Sequence, residues 1–284
     1  MNIWLERVAS SYNLRKAWLR VRSNLRKGSH TFKLAQIFSE NLEQNLFALR
    51  IKLLNGSYSP QPFYTFNLVK SSGGMRPIAV PHLTDRIIQN AVLLIFAPEI
   101  ETKAHPACQG SIAGRGLESV SQEVFKCLKN GLCCGFYADV ENFFGSLDKK
   151  ILMSKLSPWI PEKTILDLIS QWNQMGCPGP LGIPQGGVLS PMLANLYLRD
   201  FDFALSAPNQ ILFRYLDDFL LLSPTLSKAK AAGQKAEKYL HTLRLKLKQG
   251  WKLVNGNEGF KFLGRYFAIK KGDQNERKES HISN

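Results

Sequence analysis

Two adjacent carboxylates, Asp217 and Asp218, interrupt the otherwise apolar run FRYLDDFLLL at 213–222. Aspartate is a common turn former, so a surface turn is one reading of the pair. The apolar flanks on both sides argue for a buried hairpin instead. There, two like charges repel, and one is driven toward protonation unless a cation compensates. A divalent ion is the usual compensation, and oxygen-only donors select Mg²⁺ or Mn²⁺. A third acid, Asp139, closes the apolar stretch CCGFYAD at 133–139. Two strand ends delivering three carboxylates could hold two ions ~3.5–4 Å apart, the arrangement used for in-line phosphoryl displacement. An aspartate at a strand end also serves simply as a cap for the next turn of chain, and spacing alone leaves both readings open.

These acids need strands to aim them. The pattern around 213–222 reads as strand–turn–strand, and 133–139 as a strand running into a turn. Upstream, Leu14, Trp18, Val21 and Leu25 recur at helical steps between Arg and Lys, predicting an amphipathic helix with a basic outer face over 13–27. A second helix is expected from a cap at Ser39 to Asn55-Gly56. FYTFNLV, a Ser-Ser-Gly-Gly turn and RPIAV predict a hairpin with Lys70 and Arg76 beside its tip. A buried helix capped at Thr84 comes next, then a helix over GRGLESVSQEVFKCLKNG and two short helices broken near Pro158. GIPQGG is a loop feeding a helix. A long helix then runs through SKAKAAGQKAEKYLHTLRL, before closing strands in WKLV and FKFLGRYFAI. Helices and strands without strict alternation give the class α+β.

The net charge is +15, from 37 Lys plus Arg against 22 Asp plus Glu, which favours a nucleic-acid partner. No apolar run reaches the ~18–20 residues that a membrane helix needs, and no signal-like N-terminus is present, so a cytoplasmic protein without a membrane partner is expected. The five cysteines form no C-x-x-C pair and read as reduced structural thiols. His82, His105 and His241 suggest no metal site.

The chain resembles a bacterial reverse transcriptase of the group II intron-like lineage. The resemblance runs in order through SENLEQNLFALRIKLLNGSYSPQP, VKSSGGMRPIAVPHLTDRIIQNAV, YADVENFFGSLD, GIPQGGVLSPMLANLYL, RYLDDFLLL, LRLKLKQGWKLV and FKFLGRYF. It implies right-hand polymerase fingers and palm, an antiparallel palm sheet packed on helices, and a thumb absent or minimal. The parts implied are an N-terminal helical extension at 1–56, fingers at 57–130, a palm at 131–267 with finger-like helices inserted at 150–180, and a polar, disordered tail at 268–284. The activity implied is RNA-directed DNA synthesis on a primer 3′-hydroxyl with two divalent ions, Mg²⁺ or also Mn²⁺. Its partners would be an RNA template, a DNA or RNA primer and deoxynucleoside triphosphates. The compact form resembles stand-alone enzymes that serve phage defence, belong to retroelements, or work with a dedicated non-coding RNA or a neighbouring-gene protein.

Residue by residue, the resemblance makes Asp139 and Asp217 the main metal ligands, Asp218 a ligand or a nearby acid, and the Val140 carbonyl a further ligand. Lys70 and Arg76 match the residues gripping the triphosphate. Lys252 matches the lysine near the leaving pyrophosphate, with Lys248 as a competitor. Phe144 would stack under the sugar and clash with a ribose 2′-hydroxyl, favouring deoxynucleotides; Phe143 would be core. Gln185 would lie near the nucleotide and the template base, Gly186 and Gly187 would let backbone approach the base pair, and Tyr215 would lie near the primer terminus. Phe262, Leu263 and Gly264 match the primer grip. Two alternatives stay open: template-independent or protein-primed DNA synthesis, and a non-catalytic, maturase-like RNA-binding role.

Overall fold

The computed structural model describes residues 3–28, 30–69 and 73–269. In chain order the elements are α1 (Ile3–Val8), α2 (Ser11–Ser23), α3 (His30–Glu40), α4 (Leu42–Leu54), β1 (Tyr64–Val69), β2 (Met75–Val80), α5 (Leu83–Thr102) and α6 (Leu117–Lys129). They continue with β3 (Cys134–Asp139), α7 (Phe143–Ser146), α8 (Lys149–Leu156), α9 (Lys163–Gly176), α10 (Ser190–Tyr197) and α11 (Arg199–Leu205). The last are β4 (Ile211–Tyr215), β5 (Asp218–Ser223), α12 (Leu226–Thr242), β6 (Lys252–Asn255), β7 (Phe260–Phe262) and β8 (Arg265–Phe267). The class is α+β, as expected. Among the described residues no helix is long and apolar enough to cross a membrane.

The chain forms two compact units, Met1–Lys103 with Phe144–Tyr197, and Ala104–Phe143 with Leu198–Asn284. Residues 104–130 join the sheet-bearing unit, because α6 lends Val120, Val124, Cys127 and Leu128 to the core beneath the sheet. The expected polar tail lies, from residue 270 onward, outside the described residues.

In the first unit, α2 buries Leu14, Trp18 and Val21 of the apolar stripe read from its spacing, together with Ala17, and packs on α5. Its start is capped by Ser10, whose Oγ accepts from the Asn13 amide at 3.2 Å. The helix ends at Ser23, short of Leu25. Ser39, expected as a cap, lies inside α3 and donates to the Ala35 carbonyl. The start of α5 is capped by His82 rather than Thr84: His82 Nδ1 accepts from the Thr84 amide at 3.4 Å. Strands β1 and β2 form the expected antiparallel hairpin. Its approach is pinned by Asp85, fully buried on α5. This acid accepts from Tyr58 Oη at 2.7 Å, the Gln61 amide at 3.0 Å and Trp172 Nε1 at 2.7 Å. A buried carboxylate is tolerated where its lone pairs meet donors.

In the second unit, an antiparallel sheet in the order β4-β5-β3-β6 carries the acidic candidates. Its strands alternate faces with period two. On one face Phe136 and Phe219 meet α11 and α12; the Phe201 ring stands edge-on to Phe219 with centroids 5.4 Å apart. On the other face Phe213, Leu220, Leu222 and Val254 join α6 and the β7–β8 hairpin. Both faces are covered, which is why FLLL at 219–222 in β5 reads as a continuous apolar run rather than an alternating one. α12 lies so close to β3 that a Cβ at Gly233 would stand 2.6 Å from Phe136 Cγ and closer still to two other ring atoms. Glycine mid-helix is unfavourable by about 1 kcal/mol, and here the close approach requires it.

Candidate active site

The two acidic strand ends lie side by side. β3 and β5 pair with Asp139 opposite Asp218, and β4 and β5 pair with Tyr215 opposite Asp218. The β4–β5 loop has two residues, Leu216 and Asp217. Leu216 has φ +56°, the left-handed conformation that hairpin loops normally give to glycine. Behind this loop sits Gly110, where a Cβ would come within 3.0 Å of the Leu216 amide nitrogen. The Val140 amide donates to the Asp217 carbonyl at 3.3 Å, tying the end of β3 to the loop.

A further stretch of chain closes the far side of β3. The Lys248 amide donates to the Asp139 carbonyl and the Glu141 amide to the Lys246 carbonyl, both at 2.9 Å, with Val140 bridging to Leu247. The tip of β3 thus lies between β5 and residues 246–248. Through this pairing Lys248 Nζ reaches Asp139 Oδ2 at 3.2 Å. Lys252, on β6, pairs further back with Tyr137 and is exposed. Of the two lysines, it is Lys248 that meets an acid of the cluster.

The electrostatics arise from half-burial of like charges. Burial, then Asp139 and Asp218, push the Asp217 carboxyl up to about 7. Burial and Asp139 also raise Asp218, opposed by Tyr137, whose hydroxyl donates to Asp218 Oδ1 at 3.2 Å. Tyr137 is itself pushed up to about 12 by burial and by the acids. It lies two residues before Asp139 on the same strand face, which period two makes readable from the sequence, although a lone tyrosine in an apolar strand passes for core. Asp139 Oδ1 is buried and has no hydrogen-bond partner among the described residues. Asp217 can bond to Asp139 only by holding a proton.

These donors suit a hard divalent cation: all are oxygens, one is an orphan among the described residues, and two carboxyls are held above their ordinary range by burial and by neighbouring acids. Among the described residues, no group of three His, Cys, Asp or Glu side chains is arranged to hold an ion as it stands. The Lys248 and Tyr137 contacts offset part of the repulsion within the cluster.

Of the primer-grip candidates, Phe262 ends β7, and Leu263 and Gly264 form the loop of the β7–β8 hairpin. Leu263 and Gly264 both have positive φ, +48° and +77°, as a two-residue hairpin loop demands. Phe262 is fully buried with its ring edge-on to Tyr137, centroids 5.6 Å apart, so its side chain is core; Leu263 also packs against that core, and Gly264 is the exposed residue of the turn. Tyr215 is half-buried at the end of β4. Phe143 is buried, and Phe144, next to it in α7, is half-buried.

The remaining candidates belong to the first unit. Arg76 is exposed on β2, and Lys70 lies outside the described residues. The Gln185 carbonyl accepts from the Ala79 amide at 2.7 Å, while its side-chain Oε1 is buried without a partner among the described residues. A Cβ at Gly186, φ +110°, would meet the Ala79 carbonyl at 2.9 Å, and one at Gly187 would meet Ser190 Oγ at 2.5 Å. Both glycines therefore have a reason internal to the fold: they let the loop lie against β2 and against the start of α10.

A four-stranded antiparallel sheet with acids on two adjoining strand ends, backed by helices, is the palm of the right-hand polymerases. The family described as reverse transcriptase (RNA-dependent DNA polymerase) matches residues 68–267, and the chain belongs to that family. Its activity class is RNA-directed DNA polymerase. The chain is 26% identical to Protein YkfC of Escherichia coli K12, over 88% of this chain and 79% of YkfC. It is 28% identical to the group II intron-encoded protein LtrA of Lactococcus lactis, over 56% of this chain and 28% of LtrA. In fold it resembles the apo telomerase of Candida tropicalis, with TM-score 0.55 and 15% identity, over 73% of this chain and 54% of that one. The chain thus spans most of YkfC, about half of the telomerase chain and under a third of LtrA.

Proposed function

We propose that this chain extends a nucleic-acid primer with deoxynucleotides on an RNA template, using divalent ions held by Asp139, Asp217 and Asp218. The observation that carries the reading is the buried Oδ1 of Asp139, without a hydrogen-bond partner among the described residues, beside two carboxyls held above their ordinary range. The Val140 carbonyl is a further candidate ligand. Divalent ions bound there would supply the positive charge that eases attack of a primer 3′-hydroxyl on the α-phosphate and departure of pyrophosphate. Lys248 orients Asp139 and adds positive charge beside it. Tyr137 holds Asp218 by its hydroxyl. Gln185 offers a buried acceptor for an amino group of a base, and Phe144 would press against the sugar and reject a 2′-hydroxyl. Arg76 and the exposed basic face of α2, with Arg15, Lys16, Arg20 and Arg22, would contact phosphates.

Primer extension tests this. With Mg²⁺, an RNA template, a DNA primer and labelled deoxynucleotides, the wild-type protein extends the primer, while Asp217→Asn and added EDTA abolish extension. Equal extension by wild type and variant would sink the assignment. Product that forms without template would favour template-independent synthesis instead.

A further inference from the structure

Arg214 lies in β4, three residues before Asp217, and is fully buried together with Asp202 of α11; their side chains are 0% and 1% exposed. Nε donates to Asp202 Oδ1 and Nη2 to Oδ2, each at 2.6 Å, a bidentate fork. Such a pair is poorly explained by stability alone, since buried ion pairs can often be replaced by apolar residues without loss. Its third nitrogen suggests another use. Nη1 donates at 3.0 Å to the carbonyl of Leu216. That carbonyl belongs to the peptide plane leading into Asp217, and Leu216 is the loop residue in the left-handed conformation. A non-glycine residue there persists only where its surroundings over-determine it.

The main chain of Arg214 is held as firmly as its side chain. Its amide donates to the Ala107 carbonyl, and the Gln109 amide donates to its carbonyl, both at 2.8 Å. The strip of chain that makes these bonds is itself pinned by Arg115, whose Nη1 reaches the carbonyls of His105 at 2.8 Å and Cys108 at 2.7 Å. The strip ends at Gly110, pressed against the Leu216 amide.

We infer that the Arg214–Asp202 pair is a positioning device for the reaction, which clamps the Leu216 carbonyl from behind and so fixes the loop that aims Asp217. The inference rests on the reading of Asp217 as a metal-holding acid. Lysine could keep the charge against Asp202, but its single nitrogen cannot form the fork and hold the loop carbonyl together.

Two variants test it: Asp202→Leu combined with Arg214→Met, which keeps an apolar filling without the clamp, and Arg214→Lys. Both are compared with wild type by thermal melting, steady-state primer extension and Mn²⁺ titration followed by electron paramagnetic resonance. Folded variants should lose ~10–100-fold in kcat, the scale expected when a reacting group is misplaced by about 1 Å, with little change in KM for deoxynucleotide. Mn²⁺ binding should weaken in parallel. A folded variant that keeps native kcat and native Mn²⁺ affinity reduces the pair to a structural role and overturns the inference. If neither variant folds, the Arg214 guanidinium resonances of the native enzyme decide: they shift on adding Mg²⁺ if the clamp and the Asp217 loop are coupled, and an unchanged signal overturns it. Asp217→Asn is run alongside. If that variant stays active, the metal-site reading has failed; if it is inactive while both clamp variants are normal, only the clamp has.

Discussion

Ionising Asp217 in the absence of metal should weaken the fold, by an amount set by the shift of its carboxyl on folding. That carboxyl rises from 3.8 to about 7. Each pH unit corresponds to about 1.36 kcal/mol, so roughly 4 kcal/mol separates the two protonation states at most. Partial contact with water brings the expected value to roughly 2–4 kcal/mol. A carboxyl with a raised folded value favours the native state below its unfolded value, near pH 4, and loses that contribution as pH climbs through 7. In EDTA, wild type should therefore lose stability between about pH 4 and 7. The Asp217→Asn variant lacks this titration and should melt higher than wild type at pH 8 by roughly 4–16 °C, at about 2–4 °C per kcal/mol for a chain of this size. At pH 4 the two should melt alike. Saturating Mg²⁺ should restore wild type at pH 8, by about 2.7 kcal/mol at a hundredfold excess over its dissociation constant, and leave the variant nearly unmoved. Melting curves at four pH values, with and without Mg²⁺, suffice. If wild type and variant keep a constant difference across that range, the acids are not strained by one another and the reasoning fails.

Gly233→Ala would drive a methyl into the Phe136 ring. Overpacking should outweigh the ~1 kcal/mol gain in helix propensity and destabilise by about 1–3 kcal/mol in urea denaturation. A neutral or stabilised variant would mean that α12 can lift off β3 freely. Phe144→Ala should lower discrimination against ribonucleotides by about tenfold or more in competitive incorporation, since a steric gate works through differences in transition-state binding; unchanged selectivity would remove Phe144 from that role.

Much of the palm was legible because its signals are local. An apolar run broken by two acids marks the β4–β5 hairpin, and the acid at the end of CCGFYAD marks β3. The fingers hairpin announced itself through its glycine turn. What escaped was non-local. The pairing of 246–248 with the end of β3 is a single bridge, hidden in LRLKLK, whose alternation was the only available sign. It decides which lysine meets Asp139. Asp202 gives no hint in sequence that Arg214 is its partner, and Asp85 gains its three donors from residues 24 to 87 positions away.

The pairing at the end of β3 has a consequence for the protein's birth. Asp139 is 109 residues ahead of Lys248, and the hydrogen bond between Tyr137 and Asp218 spans 81. At ~5–20 residues per second, a ribosome takes roughly 5–20 s to deliver Lys248 after Asp139 has emerged. For that interval β3 exists as an apolar strand with at least one edge open, the form most prone to mispairing with another chain. Slowing translation between codons 140 and 248 should lengthen this exposure and raise the share of protein that depends on chaperones.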